Sequence, residues 1–266
     1  MYYVPKNLFS IDTNAKTIKG QKYGVKTAVL YLAPAGLAFD ALGIPGTMCA
    51  MSALAGCEAA CLNTAGRGQF DQIQLARINK TIYFLLDRIG FMQHLAHEIG
   101  VFVQKTRAEG YVPMVRLNGT QDHRWENEPV ELDGVTYANL MALFPDVQFY
   151  DYTKLPNRRG IPSNYDLTFS YSGLPGYQPY VRAAVAAGLR VAVVFRDRAS
   201  IPVQFMGLPV VDGDDSDLRP YDPQGVVVAL YAKGKAKRDM SGFVVDTGLP
   251  GRLDTGSRRV IPLLAA

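Results

Sequence analysis

The chain has 266 residues, 48% of them hydrophobic and 20% charged, with a net charge of +4 and a pI near 8.9. That composition describes a globular chain able to bury a substantial core and excludes a disordered or fibrous one, and the positive balance is too mild to imply nucleic acid by itself. No apolar run approaches the roughly 20 residues that span a bilayer, and the opening M-Y-Y-V-P-K-N has no secretory pattern, so no membrane partner and a reducing cytoplasm are expected.

Residues 1–26 are polar, with scattered turn signals, and read as a lead-in packed on the outside. Residues 27–33, T-A-V-L-Y-L-A before Pro34, form a short apolar run that predicts a buried first strand. A Gly/Pro-rich connection then leads to the stretch from Cys49 to Gly68, which holds every cysteine of the chain at C-x7-C-x3-C.

We read Cys49, Cys57 and Cys61 as one metal site. Structural zinc favours four N or S ligands with two close pairs, whereas this loop offers three thiols, so a zinc site would draw its fourth ligand from His94, His97 or His123. A 4Fe-4S cluster is the better match: cysteine thiolates are its general ligands, and three of them leave the fourth iron open to a substrate or cofactor. A disulfide leaves one cysteine over and suits secreted chains. Three inert, buried thiols are the plainest alternative.

From 69 to about 107, apolar residues recur at three- and four-residue intervals (Ile78, Ile82, Leu85, Ile89, Met92, Ile99), predicting one long amphipathic helix with His94 and His97 at its surface or core edge. Residues 111–117 read as the second strand, followed by the loop Asn118 to His123; Trp125, Glu126 and the acidic 128–133 look like a solvated excursion. After a short helix over 137–144, strands are predicted at 147–152, 166–171, 190–195 and 225–231, with an alanine-rich helix over 180–189 stopped by Gly188. The run D-G-D-D-S-D at 212–217 lacks the glutamate that an EF-hand calcium loop requires and reads as a turn or substrate-facing rim. Residues 236–266 are loop-rich, with apolar candidates only at 243–245 and 260–264.

Strands alternating with helices make βα units and a parallel sheet. A ligand loop directly after the first strand suits an α/β barrel, whose functional groups sit at the carboxyl ends of the strands. The expected fold is therefore a single α/β domain over 1–266, a partial (βα)6-like TIM barrel with an irregular C-terminal extension. Asn118, Asp122, Lys154, Ser170 and Arg196 each fall near a predicted carboxyl end and are the candidate rim residues for binding a cofactor or small ligand.

Five stretches carry a resemblance to the phage gene 88 protein family: T-A-V-L-Y-L-A-P at 27–34, A-A-C-L-N-T-A-G-R-G within the cysteine loop, Q-L-A-R-I-N-K-T at 74–81, V-Q-F-Y-D-Y-T-K at 147–154 and V-D-G-D-D-S-D-L-R at 211–219. The resemblance covers most of 25–245 and implies a viral protein acting in the host cytoplasm. More distantly, the layout is similar to radical S-adenosylmethionine (SAM) enzymes, in which a three-cysteine cluster loop follows the first strand of a partial barrel. That similarity implies SAM on the open iron, held by its amino and carboxylate groups, with the loop at Asn118 and Gly119 in the place that holds the amino group. The spacing differs from the usual C-x3-C-x2-C of those enzymes, and Ala60 stands where they carry an aromatic residue.

The function expected is thus an iron–sulfur protein with an open iron, a radical-SAM-like enzyme of unknown substrate. A non-enzymatic iron–sulfur or zinc protein that binds a host or nucleic-acid partner through Arg158, Arg159, Lys233, Lys235, Lys237 and Arg238 is the alternative.

Overall fold

The structure is a computed structural model and describes residues 2–13 and 15–247. Its centre is an open nine-stranded sheet. The short edge strand β1 (Phe9–Ile11) and a first helix, α1 (Ala15–Gly20), lead into β2 (Val25–Leu30), whose alternating face carries Ala28 and Leu30 into the core. After α2 (Leu37–Leu42) and the cysteine loop come α3 (Asp71–Leu86), α4 (Arg88–Ala108) and the buried strand β3 (Val112–Arg116). A hairpin, β4 (Val130–Leu132) with β5 (Val135–Tyr137), and the single turn α5 (Leu140–Leu143) precede β6 (Gln148–Thr153) and β7 (Tyr165–Ser170). The chain continues through α6 (Gln178–Ala186), β8 (Val191–Phe195), β9 (Gln204–Phe205), β10 (Leu208–Asp212) and β11 (Val227–Tyr231).

The sheet order is β1-β2-β3-β6-β7-β8-β11-β10-β9. From β2 through β8 to β11 every pairing is parallel and spatial order follows sequence order; β10 joins β11 in parallel from the far side. Because crossovers between parallel strands are right-handed, a sheet wound in one direction keeps its helices on one face. Accordingly, Phe84 on α3 and Phe91, Leu95 and Ile99 on α4 pack with Ala28, Val115 and Phe149. On the same face, Val181 and Ala184 of α6 pack with Phe169, Val193 and Val227.

The opposite face is covered by residues 213–222. Leu218 packs on Val25, Met114 and Tyr150, and Arg116 of β3 reaches Asp217 at 2.6 Å. Arg219 and Asp222, both buried, pair at 3.1 Å. Arg190 donates to Thr168 and to the Asp222 carbonyl and pairs with Asp166.

These observations correct several expectations. The sheet does not close: its end strands β1 and β9 are antiparallel to their single neighbours, and the face a barrel would enclose is filled by the 213–222 segment. The D-G-D-D-S-D run is accordingly a largely buried cover, with Ser216 and Asp217 inside. The N-terminal segment is no outer lead-in, since β1 extends the sheet and Leu8 is fully buried. The long helix is two helices, because the Asp87 side chain accepts from Gly90 N at 2.9 Å and caps α4, a local bond that competes with helix continuation. The Trp125 region is core rather than excursion: Trp125 is 0% exposed and donates to Asn118 Oδ1 at 2.9 Å. In the C-terminal extension, Phe243 and Val244 are buried and Val245 bridges to Phe195, while 248–266, with the apolar 260–264, lie outside the described residues.

Removing one member of a buried ion pair costs more than the pair contributes, because the remaining charge stays desolvated. Arg116→Met, which withdraws the guanidinium from the buried Asp217 carboxylate, is expected to cost about 3–5 kcal/mol, read as a lower urea midpoint at an unchanged slope.

Candidate functional site

The parallel strands deliver their carboxyl ends to one rim, and the cysteine loop is built across it. Met48 N donates to Ala35 O at 2.9 Å, and Asp122 N, from the loop after β3, donates to Met48 O at 3.1 Å, so Cys49 and Asp122 form a parallel bridge. Ser172, beyond β7, donates its hydroxyl to Ala55 O at 2.7 Å and anchors the middle of the loop. Gly56 has a φ of +63°, and a Cβ there would stand 2.9 Å from Leu174, so the turn into Cys57 needs glycine both for conformation and for space.

All three cysteines are free and half-buried. Cys49 Sγ accepts from Ala35 N at 3.3 Å, and Cys61 Sγ accepts from Asn63 N at 3.4 Å, opening a short helical turn. The Cys57 thiol points at Ser52 O, 3.8 Å away. Burial pushes Cys49 up to about 12 and raises Cys57 and Cys61 as well. Cys61 lies within electrostatic reach of both other thiols. Among the described residues, no three His, Cys, Asp or Glu side chains are grouped to hold a metal ion.

Lys154 is only 8% exposed, and its ammonium lies over Phe243 in the apolar cluster that Cys57 packs against. Its ammonium donates to Ser170 O at 3.1 Å, Ser170 Oγ at 3.0 Å and Tyr171 O at 2.9 Å, and sits over the rings of Phe243 and Tyr177. Burial lowers its pKa to about 8, against the field of Cys57, Asp122, Cys61 and Cys49. Asp122 Oδ2 accepts from Lys154 N at 2.7 Å, tying the loops after β3 and β6 together.

Of the rim residues expected from sequence, the structure therefore gathers Asp122, Lys154 and Ser170 around the cysteines. Asn118 serves its own loop: its side chain accepts from His123 N and Trp125 Nε1 and donates to His123 O. Arg196 turns to the C-terminal segment, donating to the carbonyls of Ala236, Lys237 and Asp239. The histidines offered as zinc ligands are otherwise engaged or displaced: His94 pairs with Glu98 at 3.0 Å, His123 with Glu128 at 2.6 Å, and His97 is exposed.

Four residues around the loop were not legible as site residues. Buried Arg77 donates to the carbonyl and side chain of Asn63 beside Cys61. Glu58 accepts from Ser52 Oγ at 2.6 Å, and Tyr177 donates to Lys154 O at 2.6 Å. Arg158, expected on a nucleic-acid surface, is a correction: its side chain is 2% exposed, ion-paired with Glu126, and 3.9 Å from Asp122. No local pattern marked them in the sequence, since Arg77 lies off the apolar stripe at Ile78, Ile82 and Leu85. Of the other basic residues, Lys233 pairs with Asp214 at 2.7 Å, while Arg159, Lys235, Lys237 and Arg238 are exposed.

A cleft of about 280 Å³ opens beside Cys49, lined by Thr47, Met48, Ala50, Asp122, His123 and Leu155 among others. Asp122 Oδ1 and the facing Arg158 Nη1 make no hydrogen bond. The cleft thus brings the His123 imidazole and the edge of the cysteine loop to one opening, with Asp122 in its wall.

The family model described as gene product 88 matches residues 7–247. The chain belongs to the gene product 88 family. The match spans the sheet, the cysteine loop and the 213–222 cover together, as the phage resemblance implied. No curated protein and no solved structure matches the chain. No described helix of this gene product 88 member is long and apolar enough to cross a membrane.

The floor of the site rests on Asp151 of β6, fully buried, which accepts from Leu117 N, Asn118 N and the Tyr165 hydroxyl. Burial pushes its carboxyl up to about 7, against the pull of Arg116 at 3.9 Å. A carboxyl that binds its proton more tightly in the folded protein favours folding most below its unfolded value, about 4, and that advantage is lost as pH rises through about 7. Urea denaturation between about pH 4 and pH 7 should therefore show a downward slope in stability that Asp151→Asn reduces; an identical slope in the variant would refute the assignment.

Proposed function

We propose that Cys49, Cys57 and Cys61 hold a 4Fe-4S cluster whose fourth iron is open to a small ligand, and that the protein is a radical-SAM-like enzyme. The observation that carries this reading is the convergence of the chain's three cysteines, on one loop after the first parallel strand, beside the buried ammonium of Lys154. Thiolates that share one zinc ion must crowd around it, whereas a cubane spreads its thiolates over separate iron corners. The backbone N–H groups of Ala35 and Asn63 aimed at two of the sulfurs are the kind of contact that tunes cluster thiolates.

The finer fold belongs to the same proposal. A sheet whose six strands β2, β3, β6, β7, β8 and β11 run parallel and in sequence order has the winding of a barrel wall that stops short of closure, and in such walls ligands gather at the carboxyl ends.

When bound, the cluster supplies a one-electron reductant and a Lewis-acidic iron. The chain's own residues do the remaining work. Asp122 joins the loop after β3 to Cys49 and to Lys154, keeping the rim in one geometry. The cleft lined by Met48 and Ala50, on either side of Cys49, admits a small ligand, and Asp122 behind its wall keeps its buried Oδ1 turned to Arg158. SAM, whose amino and carboxylate groups chelate iron, is the ligand the radical-SAM likeness favours.

Anaerobic purification should yield about four irons and four sulfides per chain, with an EPR signal of the reduced protein that changes on adding SAM. Cys57→Ala should lose most of the iron while keeping the far-UV CD spectrum and the urea midpoint of the iron-free wild-type protein. Zinc without iron would sink the proposal in favour of a zinc scaffold, and iron with no response to SAM would leave a redox or structural cluster.

A further inference from the structure

The hydrogen bonds of Lys154 are spent in an unusual way. A buried ammonium is ordinarily held by a carboxylate, because only an opposite charge offsets its desolvation. Here the donors go to two carbonyls and a hydroxyl, on Ser170 and Tyr171. The remaining faces are closed by the rings of Phe243, 4.6 Å away, and Tyr177, 5.4 Å away. The nearby carboxylate, Asp122, bonds the Lys154 backbone N–H instead and faces Arg158 on its other oxygen. The titratable groups left for the ammonium to act on, besides Asp122, are the thiols: Cys57 packs against the same apolar cluster as Phe243, whose ring the ammonium covers, and Cys61 and Cys49 lie in the same field; ligation to a metal would make them anions.

We infer that Lys154 is the fixed positive charge that sets the reduction potential of the cysteine site. This rests on the cluster reading above and goes beyond it by assigning a role to a residue outside the ligand set. A core held by three thiolates is a net anion, and taking up one electron from an external reductant adds a further negative charge without making or breaking a bond. In a low-dielectric pocket, charges interact far more strongly than in water, so an ammonium held beside the cysteine loop favours the reduced state and raises the potential. The carbonyls of Ser170 and Tyr171 fix where that charge sits, and Phe243 and Tyr177 keep water from screening it. Lys154 is thus a positioning and tuning residue, acting on the electron rather than on the substrate.

The test is an EPR-monitored redox titration at pH 7 of iron-loaded wild-type protein, Lys154→Met, Lys154→Arg and Ser170→Ala. Lys154→Met fills the same pocket without the charge and should move the potential to a more negative value. Lys154→Arg should recover most of that shift. Ser170→Ala, which leaves the ammonium its two carbonyl acceptors, should stay close to wild type. An iron-loaded Lys154→Met with the wild-type potential overturns the inference and leaves the cluster reading standing. If Lys154→Met is folded by CD but holds no iron, iron loading of Lys154→Arg supports the charge requirement, whereas loss in both variants overturns it. Wild-type protein that takes up no iron removes the cluster reading itself, and the inference with it.

Discussion

Parallel strands laid side by side in the order they are made bring all their carboxyl ends to one rim, and this constraint organises the rest of the molecule. From β2 to β11 there is no reversal of direction, so the helices collect on one face and the loops that carry chemistry collect at one edge. Asp122 is the stitch that makes that edge a single object. Its backbone pairs with the cysteine loop and its carboxylate takes the Lys154 amide, so three loops from distant parts of the chain are held in register by one residue.

The face away from the helices is where this sheet departs from a barrel. A closed barrel fills its interior with layers of apolar side chains from alternate strands, but here Arg116, Thr168 and Arg190 stand on or beside that face. Charged groups buried in this way need partners, and the 213–222 segment brings Asp217 to Arg116 and the Asp222 carbonyl to Arg190, while its own Arg219 pairs with Asp222. The segment is therefore part of the core and not an ornament of the rim. Once it occupies that face, closing the strands into a ring would have no interior left to enclose.

At the rim itself, desolvation acts on opposite charges at once. It pushes the three thiols up and the Lys154 ammonium down, and each sign of charge is the natural remedy for the other. On the cluster proposal, ligation would deprotonate the thiols outright and set thiolates against the Lys154 cation. The same reasoning explains why Lys154 can do without a carboxylate among its hydrogen-bond partners.

Much of this was legible in the chain alone. Period-2 and buried apolar runs mark β2, β3, β6, β7, β8 and β11, because half-buried and fully buried strands leave a local pattern in sequence. The clustering of Cys49, Cys57 and Cys61 marks the site for the same local reason. What stayed hidden depended on partners far apart in sequence. Asp87 caps a helix only because the chain turns there, Trp125 is core only because Phe84 and Phe91 close over it, and Arg158 looked like a surface charge until Glu126 and Asp122 enclosed it. The sequence by itself determined the strands, the order of βα units and the three-thiol loop, since each is written in residues within a few positions of one another. Only the tertiary structure decided that the sheet stays open, that 213–222 lies inside, and that Lys154 faces the cysteines, because burial and charge pairing are properties of groups that meet only after the chain has folded.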